Sequence, residues 1–184
     1  MAETDKLIVL DRDGVINHDS EDYIKTPDEW RPLNGSLDAI AALTAGGFRV
    51  VVVSNQSGIG RGLFSEAVLD EIHLKMTSAV EAAGGAIAGI YYCPHAPDHG
   101  CNCRKPRPGL VERIEDDFGV SLSGIPFVGD KVADMVLARR VGARPILVLT
   151  GYGQTTLASL NDTEVEAFSD LASVASALLG ERGE

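Results

Sequence analysis

Five times along the chain a short, almost wholly apolar run stops abruptly at polar or glycine residues. The runs are "KLIVL" from Lys6, "FRVVVVS" from Phe48, "IAGIYYC" from Ile87, "IPFVGD" from Ile125 and "RPILVLTG" from Arg144. They lack the alternation of a strand with one wet face, so they predict strands covered on both sides. Between them lie stretches with apolar residues at helical spacing, at 35–47, 65–85, 108–119 and 131–143, and a last one at 167–180. Ser65 stands where an N-cap is wanted, glycine pairs stand at the helix ends, and Pro108 lies near a first turn. Strands and helices alternating in this way predict an α/β fold, a Rossmann-like three-layer sandwich with a mostly parallel central sheet. Ligands in such folds sit beyond the carboxyl ends of the strands. The polar clusters "DRDG", "SNQSG", a cysteine-rich segment and "GDK" all fall there. The stretch His18 to Arg31 is polar, carries Pro27 and Trp30, and reads as a loop. No insertion is long enough for a separate cap domain.

With 184 residues the chain reads as a single domain over 1–184. Its formal net charge of -11 makes nucleic acid a poor partner. No apolar run approaches the roughly 20 residues of a membrane span, so no membrane partner is expected. "MAETDKLIVLDRDG" has no basic segment ahead of a long apolar one, so no signal peptide is expected. The three cysteines cannot pair fully with one another, which points to a reducing cytoplasm. Nothing in the sequence demands a dimer, and a monomer is expected.

Asp11 and Asp13 follow the first apolar run directly, and in extended backbone residues two apart point to the same side. Two carboxylates held close repel, and a cation between them is the natural remedy. One could then attack as a nucleophile while the other moves protons. A solvated acidic turn has the same appearance. Three further elements strengthen the chemical reading. Ser54 and Asn55 end the second run with short donors suited to a phosphoryl oxygen. Lys105 precedes a predicted helix, where it could neutralise a transferring phosphoryl group. Asp130, with Lys131 and Asp134 behind it, could complete a magnesium site, although helix capping would also explain an aspartate there.

The ordered set, apolar run then D-x-D-G, apolar run then S-N, K-P, and apolar run then G-D-x-x-x-D, resembles the haloacid dehalogenase superfamily of phosphohydrolases. The resemblance implies Asp11 as a nucleophile forming an aspartyl-phosphate and Asp13 as general acid and base. It implies Ser54 and Lys105 as phosphoryl stabilisers. Magnesium would be held by Asp11, Asp130 and the backbone carbonyl of Asp13, with Asp134 orienting its neighbours. An aspartate at position 13 favours a phosphatase over a dehalogenase. A receiver-type signalling module would place its phosphoacceptor aspartate at a middle strand that here ends in Ser54.

The segment "CPHAPDHGCNC" contains every cysteine of the chain. Cys93-x-His95 and Cys101-x-Cys103 offer three thiolates and an imidazole, a full set for a closed tetrahedral zinc site. His95 is preferred to His99 because C-x-H mirrors C-x-C. Zinc would fix a loop with little core of its own and aim Arg104 and Lys105, the next residues. A zinc loop followed by R-K-P resembles two phosphatase families, one acting on D-glycero-D-manno-heptose 1,7-bisphosphate and one on histidinol phosphate. "NQSGIGRG", "GIYYCPH" and "VGDKVADM" favour the first, whose members remove the C7 phosphate in heptose and lipopolysaccharide core biosynthesis. That resemblance implies a small phosphorylated sugar as substrate, met by Asp19, Tyr23, Asn55, Gln56, Ser57, Arg104 and Lys131. Arg61, Arg104 and Lys131 could grip the remote phosphate, with arginine suited to a bidentate hold.

Overall fold

The computed structural model describes residues 6–160 and 165–180. Met1 to Asp5, where the reading for a signal peptide begins, lie outside the described residues. Six strands form one sheet: β1 (Lys6–Leu10), β2 (Phe48–Asn55), β3 (Ile87–Cys93), β4 (Pro126–Gly129), β5 (Arg144–Val148) and β6 (Glu166–Phe168). Their order is β3-β2-β1-β4-β5-β6 and every pairing is parallel. The helices are α1 (Ser36–Ala45), the short α2 (Ser57–Gly60), α3 (Glu66–Ala82), α4 (Gly109–Phe118), α5 (Val132–Arg140), α6 (Gly153–Ser159) and α7 (Leu171–Gly180).

The apolar runs are explained by two separate cores. Ile8, Leu10, Val50 and Val52 face one layer, with Ile40 of α1, Ile72 and Met76 of α3 and Val174 of α7. Leu7, Val9, Val51 and Val53 face the other, with Leu110 and Ile114 of α4 and Leu137 of α5. A strand with period-two side chains and helices on both faces can spare no position for water.

The helices form near their expected positions, and Ser65 caps α3 by accepting from the Val68 N–H at 3.3 Å. One expectation fails. The helix expected from residue 167 begins only at Leu171, because Ala167 and Phe168 pair with Leu147 and Val148 as edge strand β6. Asp170 then turns the chain, its Oδ1 accepting from the Ser173 N–H at 2.8 Å. Arg144 grips Glu166 with two 2.6 Å contacts, a pairing from distant sequence that local periodicity does not carry. Short helix α6 has no counterpart in the helical spacing of the sequence. No helix among the described residues is long and apolar enough to cross a membrane.

Candidate active site

Strand order reverses at β1, whose neighbours are β2 and β4. A crevice therefore opens beyond the carboxyl ends of β1 and β4. Asp11 sits in it, buried, with its N–H donating to Val128 O of β4 at 2.9 Å. Lys105 reaches the same place from the far side of the cysteine loop. Its Nζ lies 2.8 Å from Asp11 Oδ1 and 2.7 Å from Asp134 Oδ1, and donates to Val53 O at 2.9 Å. Burial alone would lower the Lys105 pKa, but the charges of Asp11 and Asp134 outweigh it and raise it. Lys105 is thus a fixed cation beside the expected nucleophile.

Asn55 holds the Lys105 backbone at both ends. Its Oδ1 accepts from Lys105 N at 3.0 Å and its Nδ2 donates to Lys105 O at 3.2 Å. Expected as a substrate contact, Asn55 spends both ends of its amide on this clamp.

Asp130 does not cap α5. Its Oδ2 accepts from the Tyr152 N–H at 2.8 Å, and its buried Oδ1 has no partner. The capping carboxylate is Asp134, whose Oδ2 accepts from Lys131 N at 3.1 Å. Carboxylate oxygens of Asp11, Asp130 and Asp134 lie within 4.8 Å of one another, all three residues buried. Burial first, and then the Asp11 charge, push the Asp130 carboxyl up to about 8. Crowded, buried carboxylates with an orphaned oxygen fit a hard divalent cation, which supplies the missing positive charge. The Asp13 carboxylate stands apart from this cluster, leaving its main-chain carbonyl as the atom it could offer a metal. Backbone closeness around Asp130 is extreme. A Cβ at Gly14 would fall 2.1 Å from Asp130 Oδ2, and one at Gly151 2.2 Å from it. Gly14 has φ +87°, so glycine serves both conformation and space there.

The Asp13 side chain points into a network of donors. Arg12 Nη2 contacts both its oxygens at 3.0 and 3.1 Å, Asn17 Nδ2 donates to Oδ1 at 2.9 Å and Gln56 Nε2 to Oδ2 at 2.9 Å. Burial would raise this carboxyl, but Arg12, Asn17 and Lys131 together hold it below the usual carboxylate range. A cavity of about 400 Å³ opens over it, lined among others by Asp19, Tyr23, Asn55, Gln56, Ser57, Arg104, Lys105, Lys131 and Tyr152. Lys131 Nζ crosses to Asp19 Oδ2 at 2.7 Å and lies 5.4 Å from the Tyr152 ring centre. Arg104 Nη1 is buried without a partner. Tyr23 adopts φ +66°, uncommon for an aromatic residue, at the cavity wall. Ser54 lies fully buried beneath, its Oγ accepting from Gln56 Nε2 at 2.5 Å. Arg61 is the exception among the expected contacts: it is exposed at the C-cap of α2 and does not line this cavity.

The four expected zinc ligands converge. Cys93 Sγ lies 3.6 Å from His95 Nδ1 and 3.6 Å from Cys101 Sγ, and His95 Nδ1 lies 3.2 Å from Cys103 Sγ. Zn–S bonds of about 2.3 Å and Zn–N bonds of about 2.1 Å would set tetrahedral edges near these values. His99 is not in the cluster; its ring stacks on His95 with centres 4.5 Å apart. Burial leads in raising the Cys93 thiol to about 12, so a metal cation is what would favour its thiolate. The loop packs on α2, where a Cβ at Gly60 would fall 2.5 Å from Ala96 N.

Sequence reasoning missed several residues around the site. Arg12 and His73 touch through Nη1 and Nε2 at 3.4 Å, and both are buried. Tyr152 supplies a backbone donor to Asp130 and an aromatic wall, and Thr156 Oγ1 donates to Asp130 O at 2.7 Å. Arg12 could have been found from its place between two motif aspartates. His73, Tyr152 and Thr156 lie in segments with no motif.

Comparison with known proteins adds names to this geometry. A family model described as HAD-hydrolase-like matches residues 102–174. The D-glycero-beta-D-manno-heptose-1,7-bisphosphate 7-phosphatase of Pseudomonas aeruginosa is 52% identical over 173 residues, covering 94% of this chain and 97% of the relative. The enzyme of that name from Bordetella bronchiseptica is 50% identical, covering 96% and 99%. A crystal structure of D,D-heptose 1,7-bisphosphate phosphatase from B. bronchiseptica, complexed with magnesium and phosphate, superposes with a TM-score of 0.93 at 50% identity. It covers 96% of this chain and 99% of that one.

Proposed function

The chain belongs to the D-glycero-β-D-manno-heptose-1,7-bisphosphate 7-phosphatase family, and from that premise we propose that it hydrolyses the C7 phosphate of that sugar through an aspartyl-phosphate. One observation supports this course most: Lys105 is locked against Asp11 and Asp134 at the crevice, 2.8 and 2.7 Å away. The pair presents a carboxylate nucleophile beside a fixed cation that can balance charge on a phosphoryl group.

Asp11 attacks phosphorus as the bond to the C7 oxygen breaks. The donors around Asp13 keep it ionised in the free site, and the negative charge of the incoming phosphate opposes them; protonated beside that charge, Asp13 gives its proton to the leaving oxygen. A water then attacks the phosphoryl group, giving a proton back to Asp13, and the Asp11–phosphorus bond breaks to release phosphate. Ser54 and Lys105 donate to the phosphoryl oxygens. Asp11, Asp130 and the Asp13 carbonyl would hold magnesium, which when bound neutralises phosphoryl charge. Gln56, Ser57, Tyr23 and Asp19 form the sugar-facing wall. Arg104, with an unpartnered buried nitrogen, and Lys131 would meet the remote phosphate. Zinc on Cys93, His95, Cys101 and Cys103 would be structural. We place the chain in the cytoplasm as a one-domain monomer.

The deciding experiment compares phosphate release from heptose 1,7-bisphosphate and from histidinol phosphate in magnesium. Preference for the bisphosphate is expected. Preference for histidinol phosphate would overturn the substrate assignment and leave the chemistry standing.

A further inference from the structure

Arg12 stands between the two motif aspartates, yet none of the roles above falls on it. It is among the largest fully buried side chains of the protein, 1% exposed. A guanidinium taken out of water must have its donors satisfied. Nε and Nη2 reach Asp13 Oδ1 at 3.1 and 3.0 Å, and Nη2 reaches Oδ2 at 3.1 Å. Nη1 faces His73 Nε2 at 3.4 Å. His73 is itself buried on α3, its ring tilted against Tyr92 with centres 5.7 Å apart. An imidazole nitrogen accepts from a guanidinium only when it carries no proton. Burial and the Arg12 charge push His73 down to about 4, which keeps that nitrogen free.

The two oxygens of Asp13 are held unequally. Oδ1 receives Arg12 Nε, Arg12 Nη2 and Asn17 Nδ2. Oδ2 receives Arg12 Nη2 and Gln56 Nε2, and Gln56 is part of the cavity wall. Oδ1 is saturated by donors that cannot leave without opening the core. Oδ2 can exchange the Gln56 bond for a proton.

We propose that Arg12, seated on His73, is a positioning residue that anchors the Asp13 carboxylate through Oδ1 and leaves Oδ2 to give and take the proton of the reaction. This rests on the reading of Asp13 as general acid and base. In the first half-reaction the proton on Oδ2 passes to the leaving oxygen as its bond to phosphorus breaks and the Asp11–phosphorus bond forms. In the second, Oδ2 takes a proton from the attacking water as the Asp11–phosphorus bond breaks.

The alternative is that Arg12 only neutralises buried carboxylates, and leaving-group dependence separates the two. Rapid-quench measurements would follow the first half-reaction with two substrates. Heptose bisphosphate needs a proton on its leaving oxygen; p-nitrophenyl phosphate does not, because nitrophenolate leaves unprotonated. With Arg12→Ala the release of sugar is expected to fall on the order of 10²-fold, the scale of one general acid, and with His73→Leu about tenfold. Half-saturation should change by less than about twofold, and release of nitrophenolate should fall far less than release of sugar. His73→Gln, whose amide oxygen can accept from Nη1, should recover most of the His73→Leu loss. Equal losses on both substrates, or no loss, would overturn the proposal. If Arg12→Ala does not fold, the His73 pair carries the comparison. Asp13→Asn is measured beside them. If it treats both substrates alike, the reading of Asp13 fails and takes the proposal with it. If it separates the substrates while the Arg12 and His73 variants do not, the proposal alone falls.

Discussion

His73 should make this protein lose stability in mild acid, over a range where carboxylates of ordinary pKa stay ionised. Its imidazole is held neutral down to about 4, against an ordinary 6.5, by burial and by Arg12. The unfolded chain therefore binds a proton at this residue between those values while the folded chain does not. Stability from this site is fully present above pH 6.5 and is lost as pH falls toward 4. The two pKa values give about 2 kcal/mol of loss by about pH 5. With a urea slope of roughly 2 kcal/mol/M, that is about 1 M in the midpoint. The assay is urea unfolding of the native protein and of His73→Gln at about pH 7.5 and about pH 5, in the same metal concentrations. The difference between the two proteins removes the contributions of the cysteine cluster and the carboxylates, which both share. The native protein should lose about 1 M more than the variant. Equal losses in the two would show that His73 titrates normally in the fold, and the neutral acceptor for Arg12 would go with it.

Asp11→Asn should abolish phosphate release while leaving the fold intact; a surviving turnover would refute the covalent course. Chelating zinc should lower the thermal midpoint by about 4–8 °C, taking roughly 2 kcal/mol and about 2–4 °C per kcal/mol for a chain of this size. Unchanged melting after complete zinc removal would refute the structural role. Gly151→Ala forces a Cβ to within 2.2 Å of Asp130 Oδ2. The crowding costs about 1–3 kcal/mol and should raise the magnesium needed for half activity by roughly 5- to 150-fold. A magnesium titration matching the native protein would show that Asp130 is not a ligand.

What the sequence carried and what it hid divide along a physical line. Asp11, Ser54, Lys105 and Asp130 are legible because each follows an apolar run or precedes a helix, and parallel strands bring their ends together whatever the rest of the chain does. The Cys93, His95, Cys101 and Cys103 cluster is legible because its spacing is local. Edge strand β6 is not, since its pairing with β5 is fixed by Arg144 and Glu166 and not by periodicity. The same holds for His73 and Tyr152. On an amphipathic helix a histidine facing inward reads as one more core position, and only the Arg12 it meets gives it a purpose.

The Lys105 segment shows how the local and the distant combine. Cys101 and Cys103 join the cluster with Cys93 and His95, Asn55 holds the Lys105 backbone on the opposite side, and Lys105 Nζ is caught among Val53 O, Asp11 and Asp134. A lysine held at backbone and at tip loses its rotamer freedom on folding, before any substrate arrives. The ordering cost, about 1.5–2 kcal/mol for a free lysine, then falls outside the catalytic step. Loosening the clamp should therefore act on the rate of phosphoryl transfer more than on sugar binding. Asn55→Ala removes both amide contacts at 3.0 and 3.2 Å without touching Lys105 itself. It is expected to lower kcat by roughly tenfold, with KM changed by less than about twofold. The reverse pattern, a raised KM with kcat preserved, would make Asn55 a substrate contact after all and remove the clamp from the mechanism.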